Sequence, residues 1–456
     1  MAEKPVSPRM QSFAIVTAGF GQNIVLTTVT TFILLDLIQY AHISSQGIAA
    51  VTIIVTVAKI IDAISDPLVG SIIDRTHTRW GKLRPFVLFS AAPVAILTGL
   101  LFAIPDTSET LKLVYFGVVY LLWGIAYSAC DVPLWALIGS AFGDSTARTT
   151  VVARVRAFGT IALGLATLGM PWFALALSFS PQATSGGWSL AVFIAAIAGM
   201  GLYLLAFFFV REKPIAAKHA RLSFRELFGT LFKNTALLMV LLGSVLGFGR
   251  FIVQAGGAVF VVIAYGNEGY FTLIGAAIIA GLVLASFCTP LLLRRIAARP
   301  LVVGSSVVAA VLYLGMYLVG FQNLVAVVVF IFLTGLTLGV FLVVQATMIA
   351  DSVDDVELRT GLRNDGISFA TLTFVSKIMT AVAVLVFGLF VVAAGYDSGA
   401  QVTPRMQQTI WMSITLIPAI SCLASAIPFL FYRLGGTPEP RGADAVHSPR
   451  KRTTSV

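Results

Sequence analysis

KIIDAISDPLVGSIIDRTHTRWGKLRP, Lys59 to Pro85, joins an apolar helical stretch to a short basic loop. The apolar part carries Lys59, Asp62 and Asp66, and their spacings of three and four residues put them on one helical face. Pro67 has no N–H for the carbonyl of Ala63, so an unpaired oxygen is expected in the same turn. Two carboxylates, that carbonyl and the Ser65 hydroxyl are hard oxygen ligands of the kind a small cation takes. A charge at the centre of a bilayer costs roughly 2.5–3.5 kcal/mol or more, so three on one helix require pairing or a function.

The rest of the chain makes the bilayer the right frame. Of 456 residues, 58% are hydrophobic and 11% charged, against about 25% charged in soluble domains. The composition is that of a polytopic membrane protein. A net charge of +10 would suit a nucleic-acid binder in a soluble chain. Here the basic residues sit in short loops between apolar runs, which is the positive-inside pattern and gives no reason to expect nucleic acid. Cys130, Cys288 and Cys422 lie in apolar segments without paired spacing, so no disulfide or metal framework is expected. The N-terminal MAEKPVSPRMQ lacks a signal-peptide pattern. No phosphate loop or nucleophile–base pair stands in any loop, so the chain is not expected to be an enzyme or to carry a cofactor.

Twelve apolar runs are long enough to span, at about 12–40, 45–73, 85–104, 111–141, 150–178, 188–210, 233–264, 269–293, 300–320, 323–350, 366–395 and 408–432. The even-numbered loops hold the arginines and lysines from Arg75 to Arg363, whereas the odd-numbered loops offer Lys112 and Arg405. Both termini are therefore expected in the cytoplasm. The sequence predicts an all-α protein of two six-helix bundles, 1–210 and 233–434, joined by a basic amphipathic linker, 211–232, and followed by a disordered tail, 435–456. Asp144-x-x-x-Arg148-Thr149 after the fourth run and Asp355-x-x-x-Arg359-Thr360 after the tenth are what a duplicated unit predicts.

Charges also recur at one depth. At 1.5 Å per residue, Asp62, Asp131 and Lys377 each lie roughly 18–20 Å in from the cytoplasmic ends of their helices; Gln22–Asn23 lies at roughly 20 Å and Arg250 at roughly 25 Å. Five helices thus bring polar groups to the middle third of the membrane, where facing one another around a cavity satisfies them. Lys59, Arg250 and Lys377 balance Asp62, Asp66 and Asp131, so a cation and an anion arriving together restore neutrality. Each ligand then improves the site for the other. Tyr127, Asp131 and Trp135 share one face of the fourth helix; a ring beside a carboxylate suits a sugar, and Ser128 adds a hydroxyl. Arg250 is expected either to hold an anionic group bidentately or to pair structurally with an aspartate.

Four segments, Ile60–Pro85, Tyr127–Ser140, Met348–Ala370 and Thr371–Ala381, resemble the glycoside–pentoside–hexuronide:cation symporters, the melibiose-carrier-like branch of the major facilitator superfamily. The resemblance implies that superfamily's fold of twelve pseudo-symmetric helices in the cell membrane. It implies Asp62 and Asp66 as cation carboxylates, where Na⁺ or H⁺ would bind, with Ser128 as a hydroxyl ligand. It implies Asp131, Trp135 and Arg156 as sugar-pocket residues and Lys377 as a lysine shared by the two sites. The chain has Ser65 where melibiose-type carriers have Asn, which opens the choice between Na⁺ and H⁺. It has Gln22–Asn23 in place of Lys-Asp, which argues against melibiose as substrate. Gly70-x-x-x-Asp74-Arg75 resembles the superfamily's helix 2–3 signature, so Asp74, Arg75, Asp144, Arg148, Asp355 and Arg359 are expected to latch the cytoplasmic ends.

The expected activity is alternating-access symport of a cation with a sugar or glycoside, an anionic hexuronide included. Gln22, Asn23, Tyr127, Asp131, Trp135, Arg156, Arg250 and Lys377 are expected on the substrate, and Asp62, Ser65, Asp66 and Ser128 on the cation. A lipid-headgroup carrier and a non-transporting sensor are the alternatives on the same scaffold.

Overall fold

The computed structural model describes residues 6–142, 145–212, 235–267, 269–360, 365–396 and 401–434. They form a helical protein whose membrane elements are α1 (Pro8–Gln39), α2 (Ser45–Arg75), α3 (Arg84–Leu101), α4 (Glu109–Ala141), α5 (Ser145–Leu177), α6 (Ser185–Phe209), α7 (Thr235–Tyr265), α8 (Tyr270–Leu293), α9 (Ala298–Val319), α10 (Leu324–Thr360), α11 (Asp365–Ala394) and α12 (Pro404–Leu430). Helix α6 is interrupted at Leu204, and α7 tightens into a 3-10 stretch at Gly247–Phe251. Eleven of these helices are long and apolar enough to cross a membrane. In α2 the described apolar segment is Gln46–Lys59, and the charges of the opening stretch lie at its end and just beyond it.

Helix starts follow local chemistry. Ser7 caps α1 ahead of Pro8, Thr403 caps α12 ahead of Pro404, and Ser44 Oγ accepts from the Gly47 N–H at the head of α2. Glu109, in the first turn of α4, accepts from both the N–H and the hydroxyl of Ser44 and so ties two helix starts together. Residues 213–232 of the linker, the tail (435–456), Asp144 and the side chains of Asp74 and Arg359 lie outside the described residues.

Packing repeats with a period of six helices. Helix α1 packs on α5 and α6 as α7 packs on α11 and α12; α3 packs on α4 and α6 as α9 packs on α10 and α12; α2 packs on α4 as α8 packs on α10. Across the halves α2 meets α11, α5 meets α8, and α1 meets α7. These crossings tighten at the end bearing loops 1, 7 and 11. Gln39 Nε2 donates to Tyr396 Oη at 2.7 Å, and Phe32 meets Phe271 edge-on at 5.8 Å. Gly388 of α11 lies so close to Thr52 of α2 that a Cβ there would collide with the threonine hydroxyl. The halves are closed at the loop-1 end.

The basic loop of the opening stretch has a partner the sequence did not reveal. Glu212, just past α6, accepts from the backbone N–H groups of Lys82, Leu83 and Arg84 at 2.8–2.9 Å. Gly81 stands at φ 105° beside that carboxylate, in the left-handed region where glycine alone is unstrained. Arg84 Nε donates to the Phe207 carbonyl at 2.9 Å, and the guanidinium lies over the Phe207 ring. A carboxylate on three N–H groups at a helix start is favoured by charge and by the helix dipole. Glu212→Ala is expected to cost about 1–3 kcal/mol and Glu212→Gln less, measured by thermal unfolding in detergent.

Candidate functional site

Asp62 and Asp66 of α2 each carry a lysine. Lys59 Nζ lies 3.4 Å from Asp62 Oδ2 on the same helix. Lys377 Nζ, from α11, lies 2.6 Å from Asp66 Oδ2 and joins the two halves of the molecule. Lys59 also rests against the rings of Tyr120 and Trp123 on α4, 5.9 Å from each centroid. Asp66 Oδ1 is buried with no hydrogen-bond partner among the described residues. Ser65 Oγ donates to the Asp62 carbonyl at 3.1 Å and lies 3.4 Å from Ser128 Oγ. Space for Asp62 comes from Gly124, where a Cβ would run into Oδ1. Asp62, Ser65 and Ser128 thus lie together between α2 and α4, while Asp66, one turn on, faces Lys377 of α11; carboxylates and hydroxyls of this kind are hard oxygen donors.

One turn toward the basic-loop end of α4, a second constellation forms. Asp131 Oδ1 accepts from Gln22 Nε2 at 2.8 Å and from Trp135 Nε1 at 3.0 Å. The Arg156 guanidinium stacks over the Trp135 ring at 4.9 Å. Tyr127 stacks on Trp123 at 5.1 Å and connects this platform to the one under Lys59. Lys377 and Asp66 lie within electrostatic range of Asp131. A carboxylate, an amide, an indole and a guanidinium converging from α1, α4 and α5 form a polar seat with an aromatic wall. Such an arrangement holds the hydroxyls and the ring face of a sugar.

Some expected residues stand elsewhere. Asn23 turns onto its own helix, Nδ2 donating to the Gly19 carbonyl at 2.8 Å against Gly159 of α5. Of the helix-1 pair, Gln22 alone reaches Asp131. Arg250 is a correction. It is 2% exposed and buried inside the second half, its Nη2 donating to Ser306 at 2.7 Å and its Nη1 to Ser425 at 3.4 Å. The guanidinium also stacks on Phe341 at 4.0 Å. These partners belong to α9, α12 and α10, and none faces Asp131. The cause is the 3-10 stretch of α7, which advances each side chain about 20° further than an α-helix does. Among the latch residues, Arg148 donates to the Phe142 carbonyl at 3.4 Å, back toward its own half, and Arg75 is exposed.

The Lys59 platform of Tyr120 and Trp123, and Gly124, were missed. A signal existed, since Tyr120, Gly124, Tyr127, Asp131 and Trp135 recur every three or four residues on α4.

Comparison with known proteins places this geometry in a family. The family model for MFS/sugar transport proteins matches residues 14–436. The inner membrane symporter YicJ of Escherichia coli (strain K12) is 30% identical over 81% of this chain and 80% of its own length. The isoprimeverose transporter of Lactiplantibacillus pentosus is 28% identical over 94% of this chain and 90% of its own. Among solved structures, a D-xylose–proton symporter superposes with a TM-score of 0.66 at 14% identity, covering 93% of this chain and 97% of its own; that likeness concerns the fold. The chain belongs to the MFS/sugar transport family, in agreement with the melibiose-carrier-like resemblance of its motifs. It is a multi-pass membrane transporter of sugar type and not an enzyme.

Two substitutions contrast a residue that converges with one that does not. Trp135→Phe keeps the ring under Arg156 and removes the N–H to Asp131; the apparent KM for a glycoside should rise about tenfold. Arg250→Met should lower unfolding stability by about 2 kcal/mol while leaving KM unchanged for neutral and anionic glycosides alike, as read by uptake competition.

Proposed function

We propose that this chain couples a cation, Na⁺ or H⁺, to inward movement of a sugar or glycoside by alternating access, with both termini in the cytoplasm. The observation that carries this reading is the Asp66–Lys377 pair, which ties α2 to α11 beside the Asp131 seat. A cation arriving at Asp66 must displace the Lys377 ammonium, or protonate the carboxylate and break the pair. Either event loosens the tie between the halves and frees a positive charge next to the substrate. Asp62 offers the same exchange with Lys59. The lysines thus keep the empty site neutral, and the cation and the sugar replace contacts that the protein otherwise makes with itself.

The distribution of arginines and lysines puts the loop-1 end outside. On that orientation the closure at Gln39–Tyr396 and Thr52–Gly388 is an outer gate, and the described conformation faces inward. A hexuronide would find its cation in Arg156, stacked on Trp135, in place of Arg250. With that exchange the count still balances: Lys59, Lys377 and Arg156 against Asp62, Asp66 and Asp131. The relative named for isoprimeverose supports a glycoside as the first substrate to try.

Uptake of isoprimeverose and of a glucuronide into membrane vesicles, under imposed Na⁺ or pH gradients, tests the proposal. Asp66→Asn should abolish gradient-driven accumulation while preserving exchange of internal for external sugar. Accumulation by Asp66→Asn at the level of the unaltered protein would refute the coupling role, and dependence on one gradient alone identifies the ion.

A further inference from the structure

Helix α6 lends no side chain to the contacts described at the cation and substrate seats, yet it touches both helices that carry the Gln22–Asp131 bond. Tyr203, fully buried, donates its hydroxyl to the Cys130 carbonyl at 2.7 Å. That carbonyl belongs to the same rigid peptide unit as the Asp131 N–H, so fixing one orients the other. The turn needs fixing, because Pro133 has no N–H for the preceding turn and leaves the Ala129 carbonyl without its helical partner.

One turn earlier on the same face of α6, Gly199 packs on α1. A Cβ at Gly199 would stand 2.7 Å from the Gly21 carbonyl, and a Cβ at Gly21 would collide with the Gly199 carbonyl. The two backbones touch at the residue immediately before Gln22. Positions 199 and 203 are four apart, so they form one stripe. That stripe sets the residue before each partner of a hydrogen bond 109 positions long in sequence.

We propose that α6 is the positioning element of the substrate seat, with Tyr203 and Gly199 setting the distance and angle between Gln22 and Asp131. This rests on the reading of Asp131 as a substrate group, and the consequences can be separated. Neither Tyr203 nor Gly199 touches substrate. Their effect passes through Asp131 Oδ1, and from there to the Trp135 indole N–H. The Trp135 resonance is therefore a reporter that needs no sugar.

The experiment is fluorine NMR of fluorotryptophan-labelled protein, with the Trp135 signal assigned by its loss in Trp135→Phe. Tyr203→Phe keeps the ring and removes only the hydroxyl. It should shift the Trp135 signal and raise the isoprimeverose KM about threefold to tenfold, with maximal velocity little changed. Gly199→Ala should shift the same signal further. Tyr313→Phe, at a buried tyrosine of the second half, should leave it in place. In an Asp131→Asn background, Tyr203→Phe should add no further shift. The proposal is overturned if Tyr203→Phe leaves the Trp135 signal unmoved, or moves it equally with and without Asp131. Unchanged isoprimeverose affinity in Asp131→Asn would instead overturn the sugar seat, and the resonance alone would then decide the role of α6.

Discussion

The interaction on which the architecture depends is the ion pair between Asp66 and Lys377. A lone charge at mid-membrane is costly, and an ion pair removed from water is marginal unless its geometry is good. At 2.6 Å the geometry is good, but it exists only while α2 and α11 lie side by side. The helix least able to face lipid is thereby held at the junction of the halves. Separation of the halves exposes two charges, and any ligand that makes separation easier must take the place of one of them. On the proposed symport, this contact between the halves is the coupling element.

The same constraint explains the small residues around it. Gly124 gives Asp62 its space, Gly388 lets α11 seat on Thr52, and Gly21 and Gly199 bring α1 and α6 to backbone contact. Each glycine stands where a polar group must be approached closely inside an apolar protein. A single methyl at Gly124 would press on the carboxylate itself, whereas one at Gly388 would press on the Thr52 contact between the halves.

Direction around the helix axis was legible in part where the helix is regular. Tyr127, Asp131 and Trp135 share a face of α4 by their spacing, and Trp135 Nε1 donates to Asp131 Oδ1, whereas the spacing of Asp62 and Asp66 did not say that one would pair with Lys59 on its own helix and the other with Lys377 of α11. Gln22 and Asn23 show the limit of counting: adjacent residues point about 100° apart, and nothing in their spacing says which one α4 will meet. The partners of Arg250 were not legible for a physical reason, since the 3-10 stretch turns it toward Ser306, Ser425 and Phe341. Glu212 was invisible for another. Its partners are backbone N–H groups, which leave no trace in residue type, and its own segment reads only as the start of a basic linker.

Lys59 and Lys377 differ in a way that bears on how two carboxylates one turn apart divide their work. Lys59 is on the same helix as Asp62 and is braced by Tyr120 and Trp123, so its distance from the carboxylate does not depend on the position of the other half. Lys377 reaches Asp66 from the other half, so that distance changes whenever the halves move. On the proposed coupling, a cation held by Asp62 would compete with a partner of constant strength, which would set affinity. A cation at Asp66 would compete with a partner whose strength depends on conformation, which would set coupling. The two aspartates are alike in chemistry and neighbours in sequence. What distinguishes them is which half of the molecule supplies the opposing charge.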